Sequence, residues 1–311
     1  MTNRERFAKT LRREKVPGRV PTFELQFFLT MEALGRVCPH HMHFSQWAQM
    51  QESERRAILD YKADTLLGFA QKYHHSALNL FMDRDLMRRV REKSDYYILA
   101  ECDPTFSIPD GTRMMEFTER LYEDGAALHR EARQRVTDAI AAVHPLAREG
   151  LLDGVCMTAD YCFNANPYFS PEMFAEFVAP YLKETIAAFH GMGLQVIKHT
   201  DGNLMPILDQ LVDCAPDALH SLDPQGGVDL SAVSRAWGDR VALCGNVNCA
   251  LLQTGAQADC AADIRRSLHD GMARGAGYVF CTSNCAYTGL PLERYEFMHD
   301  IWWEEGLYSH E

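Results

Sequence analysis

A histidine and a carboxylate, two residues apart, follow a short apolar run near the middle of the sequence. The run Val196-Ile197 leads into His199-Thr200-Asp201. On a β-strand, side chains at positions i and i+2 point to the same side, so the imidazole and the carboxylate would face one pocket. Both groups bind zinc, and a catalytic zinc keeps one position open. The pair predicts a metal site, and a hydrogen-bonded His–Asp pair is the structural alternative.

Two cysteines near the C-terminus could add thiolate ligands to such a site. Cys281 and Cys285 are four residues apart. In an unbroken strand this even spacing would place both on one face, but Ser283-Asn284 predicts a turn that breaks the register. A buried cysteine can also pack as a small hydrophobic group without a further role. One or two thiolates could therefore complete the zinc site.

Other polar residues end apolar runs elsewhere in the chain. Catalytic groups of parallel barrels lie at the C-terminal ends of strands, so these positions are candidates for the same pocket. Asp223 precedes a proline and Gly245-Asn246 is a common turn pair, so both also have a structural interpretation. The candidates are Glu24, Asp160, Asp223 and Asn246.

Short apolar runs alternate with helical patterns from residue 151 onward, which is typical of βα units and a parallel sheet. Helices are predicted between these runs, including one that starts at Ser170-Pro171-Glu172 and is kinked at Pro180. The predicted fold is an α/β protein, a (β/α)8 TIM-type barrel. The strand-sized runs are Leu152 to Ala159, Leu194 to His199, Ala218 to Leu222, Val241 to Val247 and Tyr278 to Thr282.

The N-terminal part is less regular. It predicts a helix from Asn3 to Arg13 and strands at Arg19 to Gln26 and Asp64 to Ala70. Residues 71–116 suggest strands at Arg88 to Glu92 and Tyr96 to Ala100, that is, a hairpin or lid insertion over the pocket. No low-complexity tract or linker divides the chain, so residues 1–311 are expected to form a single domain.

Composition limits the partners. The formal net charge is -12, and both nucleic acid and anionic membranes reward clusters of Lys and Arg, so a small ligand is expected instead. Neither an apolar signal segment nor a run of 18 apolar residues is present, and a cytoplasmic protein with reduced cysteines is expected. The aromatic pair Trp302-Trp303 is interpreted as packing or a subunit contact, which leaves a homodimer open.

Several stretches of the sequence resemble a known family. The stretches IKHTDGNLMPILDQL, GDRVALCGNVNCALLQTG and GAGYVFCTSNCAYTGLPLERYEFM resemble the C-terminal half of the uroporphyrinogen decarboxylase superfamily, and RERFAKTLRREKVPGRVPTFE resembles its N-terminal part. The resemblance spans nearly the whole chain and implies a TIM-type barrel. The decarboxylases of this superfamily carry an arginine-rich loop where this chain has Phe23-Glu24-Leu25-Gln26, so decarboxylation of a polyacid is disfavoured.

The other large branch of the superfamily consists of corrinoid-linked methyltransferases, which bind zinc through His-x-Cys and a later Cys. The resemblance implies that His199 and Cys285 are zinc ligands. Asp201 stands where that branch has cysteine, which favours oxygen-donor substrates over thiols. Glu24 or Cys281 could complete the site, and Asp160 and Asn246 are further catalytic candidates.

The expected function is a zinc-dependent methyltransferase that moves a methyl group between a small O- or N-methyl substrate and a cobalt. The chain lacks an Asp-x-His-x-x-Gly corrinoid motif, so methylcobalamin or cob(I)alamin would be supplied by a separate corrinoid-binding protein. Two alternatives stay open. One is a metal-free decarboxylase acting on a less acidic substrate, and the other is a non-catalytic barrel that binds a corrinoid protein.

Overall fold

The structure is a computed structural model that describes residues 1–308 of the chain. Its centre is a parallel β-sheet, and each strand is followed by at least one helix. This alternation is that of an α/β protein and confirms the α/β part of the predicted fold class. Within these residues the strands are β1 Ala77–Asn79, β2 Tyr97–Glu101, β3 Gly154–Met157, β4 Gln195–Thr200, β5 Ala218–Ser221, β6 Ala242–Val247 and β7 Tyr278–Thr282.

The strands lie in the sheet in chain order, and each pairs in parallel with the next. An earlier segment connects the two outer strands: Thr22 forms a parallel bridge to His75, just before β1, and another to Phe280 in β7. The Phe280 amide also donates to the Pro21 carbonyl oxygen at 2.8 Å. The sheet therefore curls as in a TIM-type barrel. Residues 1–308 contain seven regular strands instead of the predicted eight, because the Arg19 to Gln26 segment makes only isolated bridges.

Helices cover the sheet between successive strands. None of the helices in the described part of the chain is long and apolar enough to cross a membrane. The helices are α1 Asn3–Leu11, α2 Thr30–Leu34, α3 Glu52–Lys72, α4 Arg84–Lys93, α5 Met114–Glu123, α6 Gly125–Arg148, α7 Pro171–Phe177, α8 Ala179–Gly191, α9 Leu208–Asp213, α10 Leu230–Trp237, α11 Cys249–Thr254, α12 Gln257–Met272 and α13 Leu292–Glu305.

The helical pattern after β3 forms two helices. The Ser170 hydroxyl accepts a hydrogen bond from the Met173 amide, and Pro171 occupies the first turn of α7, as predicted. The chain then leaves helical geometry at Val178, two residues before Pro180, and α8 begins at the next residue. Proline is tolerated in a first turn but not in a helix interior, so the predicted kink is a complete break between α7 and α8.

Helix α1 lies at the N-terminal ends of the strands. The Phe7 ring is 4.9 Å from the ring of Tyr97, the first residue of β2. The side chain of Gln195, the first residue of β4, donates to the Ala8 carbonyl oxygen at 3.3 Å. Full burial of a side chain such as Phe7 contributes about 1.5–3 kcal/mol. The interior of the sheet is filled by Phe7, Leu11, Phe23, Leu25, Ala77, Tyr97, Leu99, Cys156, Ile197, Ala218, Ala242, Cys244, Val279 and Cys281.

Two predictions for the N-terminal part are wrong. Residues 64–70 belong to α3 and do not form a strand, because their apolar positions continue the helical repeat of a 21-residue element. Residues 88–92 lie in α4, which Asp83 caps through the Leu86 amide at 3.0 Å. The segment 71–116 thus contains β1, α4 and β2, and the two strands pair in parallel. A hairpin needs antiparallel strands, so the expected hairpin is not formed. Strand β2 itself agrees with the prediction.

Candidate metal centre at the mouth of the sheet

The C-terminal ends of the strands, with the loops that follow them, form what we call the mouth. In β4, Ile197 packs in the interior of the sheet, and His199 follows it on the same face. Asp201 comes directly after β4, and Asp160 comes three residues after β3. Because neighbouring parallel strands end at the same edge, these three side chains meet at the mouth.

Asp160, His199 and Asp201 form a compact group. One donor atom from each residue lies within 4.8 Å of the other two. His199 Nε2 is 3.6 Å from an Asp160 oxygen and 3.7 Å from an Asp201 oxygen. His199 is buried, whereas the Asp160 side chain is 44% exposed, so the group is open toward solvent on the Asp160 side. One nitrogen and two oxygen donors around an open side match the requirements of a catalytic metal site.

His220 contacts His199 from the interior of the sheet and fixes the orientation of its ring. Residues 199 and 220 are register partners in β4 and β5, and their Nδ1 atoms are 2.7 Å apart. Burial, reinforced by the nearby charge of His199, lowers the pKa of His220 well below its usual range, so His220 is neutral. The Nδ1 atom of His199 is thereby occupied, and its Nε2 atom is left facing the two carboxylates. The sequence interpretation missed His220, although a histidine inside an apolar strand run was the available signal.

Asp201 is oriented by two neutral donors. The Ser221 hydroxyl donates to one carboxylate oxygen at 2.7 Å, and the Asn284 side-chain amide donates to the other. The Asp201 backbone amide donates to Asp160 at 3.0 Å. Burial raises the pKa of Asp201, and the neighbouring carboxylates of Asp160 and Asp223 add to this effect. A bound cation would relieve this repulsion.

Cys285 lies beside this group but outside the three-residue cluster. It follows Asn284, the donor to Asp201, and the residue is partly exposed. Burial raises the pKa of the Cys285 thiol to about 12, with further contributions from Glu24 and Asp201. The same carboxylates would attract a cation, and a metal-bound thiol is deprotonated. The ligand role of Cys285 therefore stays a prediction.

Glu24 is buried near Cys285. Its carboxylate accepts hydrogen bonds from the Thr282 hydroxyl at 2.5 Å and from the Thr282 amide at 3.3 Å. Burial raises the pKa of Glu24 to about 8, although the hydrogen bonds from Thr282 and Tyr295 oppose the shift. The structure places Glu24 near Cys285 but not in the Asp160–His199–Asp201 cluster.

Two other candidates lie deeper. Cys281 is fully buried in the interior of the sheet, next to Cys244 in the same core cluster. Asn246 is also fully buried, and its side chain donates to the Leu222 carbonyl oxygen at 2.7 Å and accepts from Arg266 at 3.0 Å. These contacts fix the ends of β5 and β6. The ligand role of Cys281 and the catalytic role of Asn246 stay predictions.

Glu101 is a further acid of the mouth that the sequence interpretation missed. Glu101 ends β2, and its carboxylate accepts hydrogen bonds from Gln26 at 3.2 Å, Asn79 at 3.0 Å and Thr158 at 3.1 Å. Among the described residues, no Arg or Lys forms an ion pair with Glu101, Asp160, Asp201 or Asp223. A negative mouth of this kind suits a cation and opposes a polyanionic ligand.

The fold and the site together define an α/β protein with a curled parallel sheet and a candidate metal centre at its C-terminal mouth. The sequence profile of the uroporphyrinogen decarboxylase (URO-D) family matches residues 110–304, which is more than half of the chain. The chain belongs to this family. A search of curated proteins found no match.

The chain was compared with solved structures. A methyltransferase from Methanosarcina mazei superposes with a TM-score of 0.72 over 97% of this chain and 99% of that one, at 14% sequence identity. A sugar phosphate isomerase/epimerase from Parabacteroides distasonis gives a TM-score of 0.46 over 80% and 91%, at 10% identity. A 3-keto-D-glucoside 4-epimerase from E. coli gives 0.46 over 79% and 94%, at 11% identity. At 14% identity, the first match establishes the shared fold.

Proposed function

We propose that the protein is a zinc-dependent methyltransferase that moves a methyl group between a small O- or N-methyl substrate and the cobalt of a separate corrinoid protein. The observation that carries this proposal is the Asp160–His199–Asp201 cluster, which opens toward solvent at the mouth. Membership of the URO-D family and the shared fold with a methyltransferase support it.

His199, Asp201 and Asp160 would hold the metal, with Cys285 as a further ligand. Within residues 1–308, the His199 nitrogen that faces the carboxylates makes no hydrogen bond shorter than 3.5 Å. In the tautomer in which His199 Nδ1 donates to His220, the lone pair of Nε2 would be available to a cation. Bound zinc supplies Lewis acidity that makes the heteroatom of the substrate a better leaving group.

The side chains around these ligands prepare them for that role. His220 occupies the second nitrogen of His199, and Ser221 and Asn284 fix the carboxylate of Asp201. Metal ligands fixed in this way lose little conformational freedom when the metal and the substrate bind. The exposed Asp160 side leaves room for the substrate between the metal centre and the solvent.

The donor set supports an oxygen- or nitrogen-bound methyl group over a thioether. Two carboxylates and one imidazole form a harder site than two thiolates would, and hard sites favour hard donor atoms. The uncompensated acids of the mouth oppose a polycarboxylate substrate, which argues against a metal-free decarboxylase of the uroporphyrinogen type.

A corrinoid partner would dock on the mouth. The loops and short helices that follow the strands expose large apolar side chains, including Met115 at 77% and Tyr122 at 74% of α5. Apolar side chains exposed around one face mark an interaction surface. The partner's cobalt(I) would supply the electron pair for the new bond to the methyl carbon, and the substrate heteroatom would leave with the pair of the broken bond. Further exposed apolar residues are Phe163 and Met205, which follow β3 and β4, and Met31, Val37 and Phe44, which lie between residue 26 and α3.

Methyl transfer to free cob(I)alamin tests the proposal. The zinc-loaded protein should methylate cob(I)alamin from a methoxylated aromatic compound, methanol or a methylamine, followed through the absorbance change of the corrinoid. The His199→Ala variant should show neither zinc binding nor transfer. Formation of coproporphyrinogen from uroporphyrinogen at a substantial rate would support the decarboxylase alternative. Zinc binding without transfer from any donor, even with corrinoid proteins added, would support the accessory barrel.

A further inference from the structure

A fully buried lysine lies directly behind the candidate metal centre. Lys198 of β4 has no exposed side-chain surface. Its ammonium group donates to Asp103 at 2.8 Å, to the Ala159 carbonyl oxygen at 2.7 Å and to the His199 carbonyl oxygen at 2.7 Å. Three protons thus meet three close acceptors, so the group is satisfied although it is removed from water.

The ion pair binds the backbone next to the candidate metal ligands. The peptide groups of Ala159, the residue before Asp160, are held from two sides: the amide donates to Asp103 at 2.9 Å, and the carbonyl oxygen accepts from Lys198. Lys198 also donates to the carbonyl oxygen of His199 itself and, at 3.4 Å, to that of Met157. One buried ion pair therefore connects the ends of β3 and β4, next to Asp160 and His199 of the cluster.

Neutral contacts enclose the pair. Asp103 also accepts from the Thr105 amide at 3.0 Å and from the Thr105 hydroxyl at 2.6 Å. The Tyr161 ring lies 4.3 Å from the Lys198 nitrogen, and the Tyr161 hydroxyl is 2.6 Å from that of Thr105. The Tyr161 amide in turn donates to Thr200 at 3.0 Å. The loops after β2, β3 and β4 are thereby fixed to one another.

We propose that Lys198 and Asp103 are a positioning pair that sets the spacing of Asp160, His199 and Asp201 for a divalent cation. This inference rests on the proposed metal-dependent function. The pair touches no metal and no substrate, and it acts only through the backbone of the ligands. A buried ion pair contributes little net stability, because the cost of desolvating both charges offsets their attraction. Replacing both partners by neutral residues can therefore leave stability nearly unchanged while it removes the positioning contacts.

The test compares three variants: Lys198→Met, Asp103→Asn and the double variant. Each single variant leaves one buried partner uncompensated and should lower the melting temperature. In the double variant both charges are gone, and the melting temperature should return close to that of the unmodified protein. The zinc affinity of the double variant should nevertheless stay about 10- to 100-fold weaker, as for other losses of groups that orient metal ligands.

A matched control lies at the other end of the same strands. Arg91 binds the Asp153 carboxylate at 2.8 Å and the Tyr96 carbonyl oxygen at 3.0 Å, close to the first residues of β2 and β3. The Arg91→Met variant should lose stability but keep its zinc affinity. The spectrum of bound Co²⁺ gives a second readout, because it reports the coordination geometry. It should change in the double variant and not in the control.

The outcomes separate the two proposals. Zinc affinity that recovers together with the melting temperature in the double variant would show that the pair serves stability alone, and it would overturn this inference while leaving the proposed function intact. An unmodified protein that binds neither Zn²⁺ nor Co²⁺ would overturn the proposed function and, with it, the positioning role.

Discussion

The Nδ1 atoms of His199 and His220 lie 2.7 Å apart, in a contact buried beneath the mouth of the sheet. This contact leaves only one nitrogen of His199 for a metal. His220 has no second hydrogen bond within residues 1–308, since its Nε2 atom is buried without a partner near the Phe23 ring. Because the only hydrogen bond of the neutral His220 ring among the described residues is the one to His199, its role would be to hold the imidazole of His199 in one orientation.

We expect the His220→Phe variant to fold and to bind zinc about 10- to 100-fold more weakly than the unmodified protein. The phenylalanine would pack in the apolar surroundings of His220 but could not bond to His199 Nδ1. Titration of the protein with zinc against a chromophoric chelator measures the affinity. The matched control is His190→Phe, at an exposed position bound to Asp217 at 2.8 Å. Equal affinities for both variants would contradict the role of His220.

The two cysteines should respond differently to substitution. Cys285 lies beside Asp201 and is partly exposed, whereas Cys281 is enclosed in the interior of the sheet. Cys285→Ala should therefore lower the zinc content and abolish methyl transfer, with a fold unchanged by circular dichroism. Cys281→Ala should keep most of its zinc and lose only about 1 kcal/mol of stability from the small cavity. Zinc retained by the Cys285 variant and lost from the Cys281 variant would reverse this assignment.

Gly202, directly after Asp201, allows close packing at the mouth. Its φ angle is +80°, and an added Cβ atom would lie 2.6 Å from the Cys162 carbonyl oxygen and 2.7 Å from that of Phe163. Gly202→Ala should cost about 2–5 kcal/mol of unfolding free energy and reduce the zinc content, because the clash displaces Asp201. Gly227 has a φ of +78° with open space around it, so Gly227→Ala should cost only about 1–2 kcal/mol. Urea denaturation would measure both, and equal losses would contradict the steric argument.

A buried histidine outside the site should make stability depend on pH. Neither ring nitrogen of His299 in α13 has a hydrogen-bond partner among the described residues. Burial lowers the pKa of His299 well below the ordinary 6.5, with the nearby charges of His75 and His74 adding to the effect. Below pH 6.5 the unfolded chain binds a proton that the folded protein excludes, so stability is lost as the pH falls.

Substitution of His299 should reduce this dependence. His299→Leu should lower the slope of unfolding free energy against pH by up to about 1.4 kcal/mol per pH unit between pH 6.5 and pH 5. Urea denaturation at several pH values provides the measurement. His269→Leu is the control, because that side chain is 86% exposed. A slope unchanged by the His299 substitution would show that His299 does not contribute.

The positions of the strands from β3 onward could be predicted from the sequence. Their apolar runs are bounded by glycine, proline and helix-start signals, so their length and neighbours agree with a parallel sheet. The same patterns placed Asp160, His199 and Asp201 at strand ends, where the structure has them. Strand β7 ends at Thr282, so the predicted break before Ser283-Asn284 is also present.

Other features could not be read from local patterns. Strand β1 has three residues, too few for a periodicity to develop. Lys198 looks like a solvent-facing residue of a strand, and its burial depends on Asp103, which lies 95 positions earlier in the chain. Whether His220 packs in a core or orients a ligand depends on its register with His199, which is a tertiary property.

The contact between Glu24 and Thr282 joins positions that are 258 residues apart, and it forms part of the wall of the mouth. Contacts of such long sequence separation form late, because a large loop must close before they can stabilise anything. During synthesis, the segment around Thr22 has no partner strand in β7 until nearly the whole chain has been made. A nascent chain that lacks β7 would thus expose both edges of the sheet, and exposed strand edges promote aggregation. Such incomplete chains should depend on chaperones more than the finished protein does.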